Sequence, residues 1–181
     1  VNQGLPYYLK FVEAFPTVKD LAAAPDDSVL RLWQGLGYYS RARNLHRCAK
    51  VVAEKYHGMF PSTFEELIQL PGVGTYTAAA IASIAFDRKV AVVAGNVYRV
   101  LARVFGIAKD IMSTGGKKDF SELANKLIAE EHPGDHNQAV MEFGATHCTP
   151  MLPKCDTCVF AKTCVALSRG MVAQLPVKEK K

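Results

Sequence analysis

The sequence predicts an all-α protein of about nine or ten helices, and three observations support this fold class. Apolar residues recur at helical spacing along most of the chain, for example at Val97, Val100, Leu101 and Val104. Patterns typical of β-strands are almost absent. Proline and glycine interrupt the periodic segments where helices are expected to end. Helices joined by short connections follow from this pattern.

The first clearly periodic helix lies in the segment RARNLHRCAKVVAEKYHG, residues 41–58. Its residues Leu45, Cys48, Ala49 and Val52 repeat at i, i+3, i+4 and i+7, so they form one apolar face. Cys48 is therefore predicted to pack as a small buried hydrophobic residue.

A very short turn joins the next two predicted helices, TFEELIQL and TYTAAAIASIAF. The turn is Pro71-Gly72-Val73-Gly74, in which glycine lets the backbone turn sharply and approach a ligand closely. The second helix presents free N–H groups and the positive end of its dipole. The amides from Gly72 to Thr75 are thus suited to hold one phosphate of a nucleic-acid backbone, with Val73 packing the turn onto the core. The alternative is a hairpin whose glycines only permit a tight corner.

The second half of the chain continues the helical pattern. Val90 to Val93 is a short extended apolar stretch that leads into Gly95 and Asn96, which suit a turn and a helix start. A later helical stripe contains Phe120, Leu123, Ala124 and Leu127, flanked by loops at 113–118 and 133–134. A cysteine-rich terminal unit and the basic tail 178–181 follow.

Four cysteines, Cys148, Cys155, Cys158 and Cys164, form a C-x6-C-x2-C-x5-C run. Four thiolates this close in sequence can surround one inorganic centre, either zinc or an iron–sulfur cluster. Zinc is the weaker fit, because structural zinc sites usually pair two short knuckles and only Cys155 and Cys158 form one. Disulfides need an oxidising compartment, and the opening VNQGLPYYLKF lacks the features of a secretory signal. The run therefore predicts a metal site, with iron–sulfur favoured.

Composition excludes few function classes. The 181 residues carry a net charge of +5, from 22 Lys and Arg against 17 Asp and Glu. This mild excess fits a polyanionic partner without establishing one. The hydrophobic fraction of 49% is typical of a soluble protein with one or two compact units. No apolar run reaches the length of a bilayer span, so we expect no membrane association and a cytosolic or nuclear location.

Several segments together resemble a known family. The tight hairpin, the Gly-Asn helix start and the cysteine run resemble the helix-hairpin-helix DNA glycosylase superfamily with its iron–sulfur loop. The segments WQGLGYYSRARNLH, LPGVGTYTAAAI, GNVYRVLAR, NQAVMEFGATHC and QLPVKEKK are similar to adenine DNA glycosylases of the MutY type. The resemblance runs from about Leu5 to the last residue.

The resemblance implies a helical helix-hairpin-helix domain at 16–131 and an iron–sulfur domain formed by 1–15 and 132–181. It implies a [4Fe-4S] cluster held by the four cysteines of the run. The implied partner is double-stranded DNA containing A·8-oxoguanine or A·G mispairs, bound by a monomer in the bacterial cytoplasm on the nucleoid, or in a nucleus. The implied reaction flips adenine out of the duplex and hydrolyses its N-glycosidic bond.

The catalytic residues of the family carry over only in part. A family glutamate protonates the adenine, and an aspartate stabilises the cationic sugar. Ala94 stands where that aspartate belongs, and the glutamate helix and the C-terminal 8-oxoguanine domain are not in this sequence. Asn96 is expected to hydrogen-bond near the missing carboxylate or to cap the following helix. Tyr76 replaces the Schiff-base lysine of lyase relatives, which implies a monofunctional glycosylase. We expect an inactive or strongly impaired enzyme.

Other candidate DNA contacts follow from the same resemblance. Tyr38 is expected to wedge beside the lesion, with core packing as the alternative. The helix after it carries Arg41, Arg43, Arg47 and Lys50, about half of which are expected to face phosphate. Lys154, in the loop between the first two cysteines of the run, is placed to meet the backbone. None of the five histidines is predicted to be catalytic or a cluster ligand.

Two other functions remain open from the sequence. One is a non-catalytic module that binds or scans lesions through the same surface. The other is a lyase like endonuclease III acting on oxidised pyrimidines, which the residue type of Tyr76 disfavours because it has no amine.

Overall fold

A computed structural model describes residues 3–179 and confirms the all-α prediction. Its described part contains ten α-helices, one 3-10 helix and no strand. The α-helices are α1 Leu5–Ala14, α2 Val18–Ala23, α3 Asp26–Trp33, α4 Tyr39–Lys55, α5 Phe64–Leu67, α6 Thr75–Phe86, α7 Gly95–Phe105, α8 Thr114–Leu127, α9 Pro133–Thr146 and α10 Val165–Ser168; the 3-10 helix is Cys155–Thr157. Within 3–179, no helix combines the length and apolar character that a membrane crossing requires.

The chain divides into two compact units, one ending at Thr75 and the other beginning at Tyr76. This boundary lies at the first residue of α6. The resemblance predicts different domain boundaries, with one domain at 16–131 and the other formed by 1–15 and 132–181. That division stays a prediction.

Helix α4 is the centre of the first unit, where α2 and α3 pack against it. Its buried face includes Ala42, Cys48, Ala49 and Val52. Burial raises the pKa of the Cys48 thiol, as expected for a packing residue, and this confirms its predicted role.

An ion-pair group fastens α3 to α4. The Asp26 carboxylate lies 3.2 Å from Lys50 Nζ and 3.0 Å from Nδ1 of the buried His46. Lys50, chiefly through its hydrogen bond, holds the pKa of Asp26 below its ordinary value. Lys50 is therefore engaged within the fold, unlike the arginines on the same helix.

Helix α7 is the centre of the second unit and packs against α8, α9 and α10. Its predicted stripe is buried at Val97, Val100 and Leu101. In the stripe of α8, Phe120 is fully buried, whereas Leu127 is 41% exposed at the end of that helix. Leu127 lines an open apolar groove, so the helical period alone overestimated the width of the buried face.

The side chain of Asn137 on α9 holds the extended stretch that leads into α7. Its amide oxygen accepts a hydrogen bond from the Val92 N–H at 2.9 Å. Its amide nitrogen donates to Val90 O and to Ser83 Oγ, each at 2.9 Å. Asn137 is only 3% exposed, so water cannot replace its amide group as the hydrogen-bond partner of these atoms.

Replacing Asn137 with alanine should lower the free energy of unfolding by roughly 2–4 kcal/mol, because buried backbone groups lose their partner. Urea denaturation followed by circular dichroism measures this change. Gln138→Ala, an exposed change one residue along the same helix, is the matched control and should stay within about 0.5 kcal/mol of the parent. Equal stability of the two variants would contradict the assigned role of Asn137.

Candidate functional site

The turn between α5 and α6 has the geometry that its glycines predict. Gly72 has φ +76°, a value that favours glycine, and the turn is closed by a 3.1 Å hydrogen bond from Val73 N–H to Leu70 O. A Cβ on Gly72 would lie 2.5 Å from Asn44 Cβ. Gly74 lies in open space and lacks a positive φ. Only Gly72 is thus required by sterics, and it brings the turn against α4.

The backbone donors of this turn are available to a ligand. Gly72, Gly74 and Thr75 are exposed, and Val73 is half-buried. Neither Gly72 nor Gly74 donates a backbone hydrogen bond within the described chain. Helix α6 begins at Thr75, so the N–H groups of its first turn have no intrahelical acceptor. Unpaired backbone donors at the start of a helix are the kind of group that binds anions in proteins, so binding of an anion by this turn stays a prediction.

Tyr38 is presented by a loop that other contacts hold in place. The Trp33 indole donates to Gly37 O at 2.9 Å, and the Tyr7 hydroxyl donates to Gln34 O at 3.1 Å. Tyr38 itself adopts the left-handed conformation, with φ 49°, as the N-cap of α4. Its ring is 77% exposed, against 40% for Tyr39. Tyr38 is therefore held at the surface and is not packed in the core.

The arginines of α4 form a cationic surface on the first unit. The side chains of Arg41, Arg43 and Arg47 are exposed, and none lies within salt-bridge distance of a carboxylate in the described residues. The Arg41 guanidinium stacks over the Tyr38 ring at 4.8 Å. Arg41 and Arg47 are each three residues from Asn44, the contact of the Gly72 turn, so they share its face of the helix.

Ala94 is the N-cap of α7, and no side chain caps the helix there. Asn96 lies inside the first turn, so the prediction that Asn96 caps this helix is wrong. Its side chain is used otherwise: its amide oxygen accepts from Arg99 Nη2 at 2.8 Å, and its nitrogen lies 3.4 Å from Met141 O. The extended backbone of Ala94, with φ −112°, takes the cap position instead.

Tyr76 lies in the first turn of α6 with its side chain 49% exposed. Its hydroxyl lies 3.7 Å from Met141 Sδ. A phenol at this place offers no amine for a covalent imine.

The four cysteines of the C-terminal run are free thiols that line one small cavity. Burial raises the pKa of Cys155, and the thiols of Cys148, Cys158 and Cys164 raise it further, whereas Arg103 lowers it. Among residues 3–179, however, no three His, Cys, Asp or Glu side chains form a recognisable metal-holding group. The chain thus gathers the four thiols around a common space.

The neighbours of this cavity have distinct roles. Lys154 is exposed, and its backbone N–H donates to His147 O at 3.1 Å. The His147 ring stacks on Phe143 with 5.1 Å between centroids, and its buried Nε2 has no partner within the described chain. His147 is thus packed as a ring.

Two residues of this site, Arg99 and Arg103, were missed from the sequence. Both are buried, and both reach the segment at Cys148. Burial lowers the pKa of Arg99, the Arg103 charge lowers it further, and Cys148 opposes this. On α7 they lie opposite the apolar stripe, so the helical pattern predicts a solvated face for them. Their burial could be recognised only from the tertiary structure, in which both faces of α7 are covered.

The comparisons with known proteins extend these observations. Residues 2–129 match the profile of the HhH-GPD superfamily base excision DNA repair proteins. The cysteine run lies beyond the matched residues.

The chain is 48% identical to the adenine DNA glycosylase of Mus musculus, over 95% of this chain and 34% of that protein. It is 37% identical to the adenine DNA glycosylase of Buchnera aphidicola subsp. Baizongia pistaciae, over 100% of this chain and 51% of that protein. The chain therefore spans from a third to a half of the length of these relatives.

Solved structures of DNA-repair enzymes have the same fold. A thermostable thymine-DNA glycosylase superposes with a TM-score of 0.83 at 31% identity, covering 92% of this chain and 76% of that one. A non-covalent endonuclease III–DNA complex superposes with a TM-score of 0.75 at 25% identity and the same coverage.

The two glycines of the turn should respond differently to alanine. Gly72→Ala should lower the free energy of unfolding by roughly 1–3 kcal/mol, because of its positive φ and the contact with Asn44. Gly74→Ala, the matched control, should have little effect. Chemical denaturation of both variants measures the difference, and equal stabilities would contradict the geometry of the turn.

Proposed function

Because this chain belongs to the HhH-GPD superfamily of base excision DNA repair proteins, we propose that it is the core of an adenine DNA glycosylase. Its substrate is duplex DNA with adenine opposite 8-oxoguanine or guanine. The enzyme flips the adenine out and hydrolyses its N-glycosidic bond, since that bond is shielded within the stack. The similarity to adenine DNA glycosylases supports this choice of base.

One observation carries the proposal: the exposed donors of the Gly72–Thr75 turn lie against α4, beside arginines that have no carboxylate partner. Backbone amides can hold one phosphate, and the guanidinium groups can neutralise those that follow along the strand. Such contacts read no sequence, which suits an enzyme that meets its lesion anywhere in a genome. Tyr38, stacked with Arg41, offers an aromatic face to an unstacked base pair.

The catalytic step requires a negative group near the sugar, and Ala94 supplies none. A methyl group cannot stabilise an oxocarbenium ion. Losing one such electrostatic group costs about a hundredfold to a thousandfold in rate. The chain with Ala94 should therefore bind DNA far better than it cuts it.

The four thiols suit a [4Fe-4S] cluster. All four line one space, and each is a free cysteine. The run contains only one short knuckle, Cys155 and Cys158, whereas structural zinc sites usually pair two, and this spacing favours the cluster. When bound, the cluster would fix the C-terminal segment and the loop that carries Lys154. Zinc remains the alternative.

A second candidate function, a non-catalytic lesion-binding module, is favoured by Ala94 alone. A lyase mechanism is not favoured, because the phenol of Tyr76 cannot form an imine; borohydride should trap no adduct with DNA.

For the enzyme we propose a monomer that works in the cytoplasm of a bacterium or in a nucleus.

Restoring the carboxylate should separate the two candidates. We expect Ala94→Asp, in a chain joined to the N-terminal catalytic helix of an adenine DNA glycosylase, to raise adenine release by about a hundredfold or more. Single-turnover assays on A·8-oxoguanine and A·G duplexes measure the rate. Ala94→Asn in the same chain is the control that fills the space without a charge. No gain with aspartate would defeat the glycosylase proposal, and rapid release by the Ala94 chain would refute its impairment.

Removing one arginine should weaken DNA binding independently of sequence. Arg41→Gln should reduce the slope of log affinity against log salt by about one, as for the loss of one phosphate contact. Fluorescence anisotropy with several duplexes at several salt concentrations measures it. Arg31→Gln, an exposed change on α3, is the control and should keep the parent slope. Identical slopes for Arg41→Gln and the parent would remove Arg41 from the interface.

A further inference from the structure

Arg103 is a buried cation without an acidic partner. Its side chain is 3% exposed, and no carboxylate of residues 3–179 lies within salt-bridge distance of it. A buried charge is costly unless another charge or a full set of hydrogen bonds compensates it. The groups that compensate the positive charge of Arg103 must therefore be among the atoms that contact its guanidinium.

The guanidinium of Arg103 is surrounded by acceptors. Its Nε donates to Leu175 O at 3.0 Å. Its Nη1 donates to Thr149 O at 2.7 Å and lies 3.5 Å from Cys148 Sγ, and its Nη2 donates to Pro150 O at 3.2 Å. The sulfur is the one contact in this set that can carry a full negative charge, since the other three are carbonyl oxygens.

The backbone of Arg103 also reaches the other end of the cysteine run. The sulfur of Cys164 lies 3.4 Å from Arg103 O. One residue of α7 thus touches the first and the last of the four cysteines, and its side chain lines the cavity between them. Neither the family match nor the cysteine spacing assigns this residue a role.

We propose that Arg103 is a positioning residue of the four-thiol site that also compensates its charge, and that the ligand it serves is a sulfur-ligated iron cluster of net negative charge. This inference rests on the proposed function for the identity of the cluster. Four thiolates carry more negative charge than the cluster core neutralises, so a fixed guanidinium stabilises the loaded site.

The charge of Arg103 should change the reduction potential of the cluster, which hydrogen bonds to backbone carbonyls alone would not do. A hydrogen bond from a cation to a ligand sulfur stabilises the more negative, reduced state of a cluster more than the oxidised state. Arg103 should therefore raise the reduction potential of the cluster and slow its loss. If Arg103 only joined backbone carbonyls, its removal would lower stability and leave the potential unchanged.

The test compares the whole chain carrying its cluster with Arg103→Met, Arg103→Lys and the control Arg169→Met, which removes an exposed arginine of the C-terminal segment. Iron content, visible absorption, the rate of iron loss to a chelator and the reduction potential are measured for each. Arg103→Met should lose iron about tenfold faster or more, the scale typical of a lost outer contact to a metal ligand. Its remaining cluster should have a more negative potential. Arg103→Lys should lie between it and the parent, and Arg169→Met should match the parent.

The outcomes separate the role of Arg103 from the identity of the metal site. Parent-like iron loss and reduction potential in Arg103→Met would overturn the role of Arg103, even if the unfolding midpoint of this variant fell. If Arg103→Met fails to fold, parent-like values in Arg103→Lys would overturn it. A parent chain that holds zinc would refute the iron cluster but leave the positioning role of Arg103 open to test. That role would then be tested by comparing the rates at which the parent and Arg103→Met lose zinc to the chelator. A parent that binds neither metal would overturn both.

Discussion

The close approach of the Gly72 backbone to Asn44 is the constraint on which the proposed DNA-binding surface depends. No side chain fits between them, and the positive φ of Gly72 turns the chain so that the following amides face outward. Because Asn44 lies on α4, the same contact sets the turn beside the arginines of that helix. Lys50 belongs to the same helix but is held by Asp26, whereas Arg41, Arg43 and Arg47 have no carboxylate within salt-bridge distance among residues 3–179.

Helix α7 organises the second unit in a different way. Its apolar stripe builds a core, while its opposite side places two guanidinium groups under the cysteine run. A buried cation is costly unless an opposite charge or a full set of hydrogen bonds compensates it. In our proposal, the thiol site supplies a negative partner for Arg103 once it holds its cluster. The start of the same helix carries Ala94, at the position where the proposed mechanism requires a carboxylate.

Much of this could be predicted from the sequence, for identifiable physical reasons. The helical period and the Pro-Gly signals predicted the fold class, because they report local burial and backbone conformation. Cys48 was predicted as a core residue by the same period. The helix start at Gly95 and Asn96 was predicted correctly, but Asn96 does not cap α7, because its side chain accepts a hydrogen bond from Arg99 and Ala94 takes the cap position. The burial of Arg99 and Arg103 depends on segments distant in sequence, so the helical pattern of α7 alone could not predict it.

The central claim is that the backbone amides of the α5–α6 turn hold a DNA phosphate. The most direct measurement is the amide NMR spectrum of the isotope-labelled chain during titration with a short duplex. The signals of Gly72, Gly74 and Thr75 should move together and saturate at the concentration that saturates binding, and high salt should reverse the change. Saturated DNA binding with these three signals unmoved would contradict the claim.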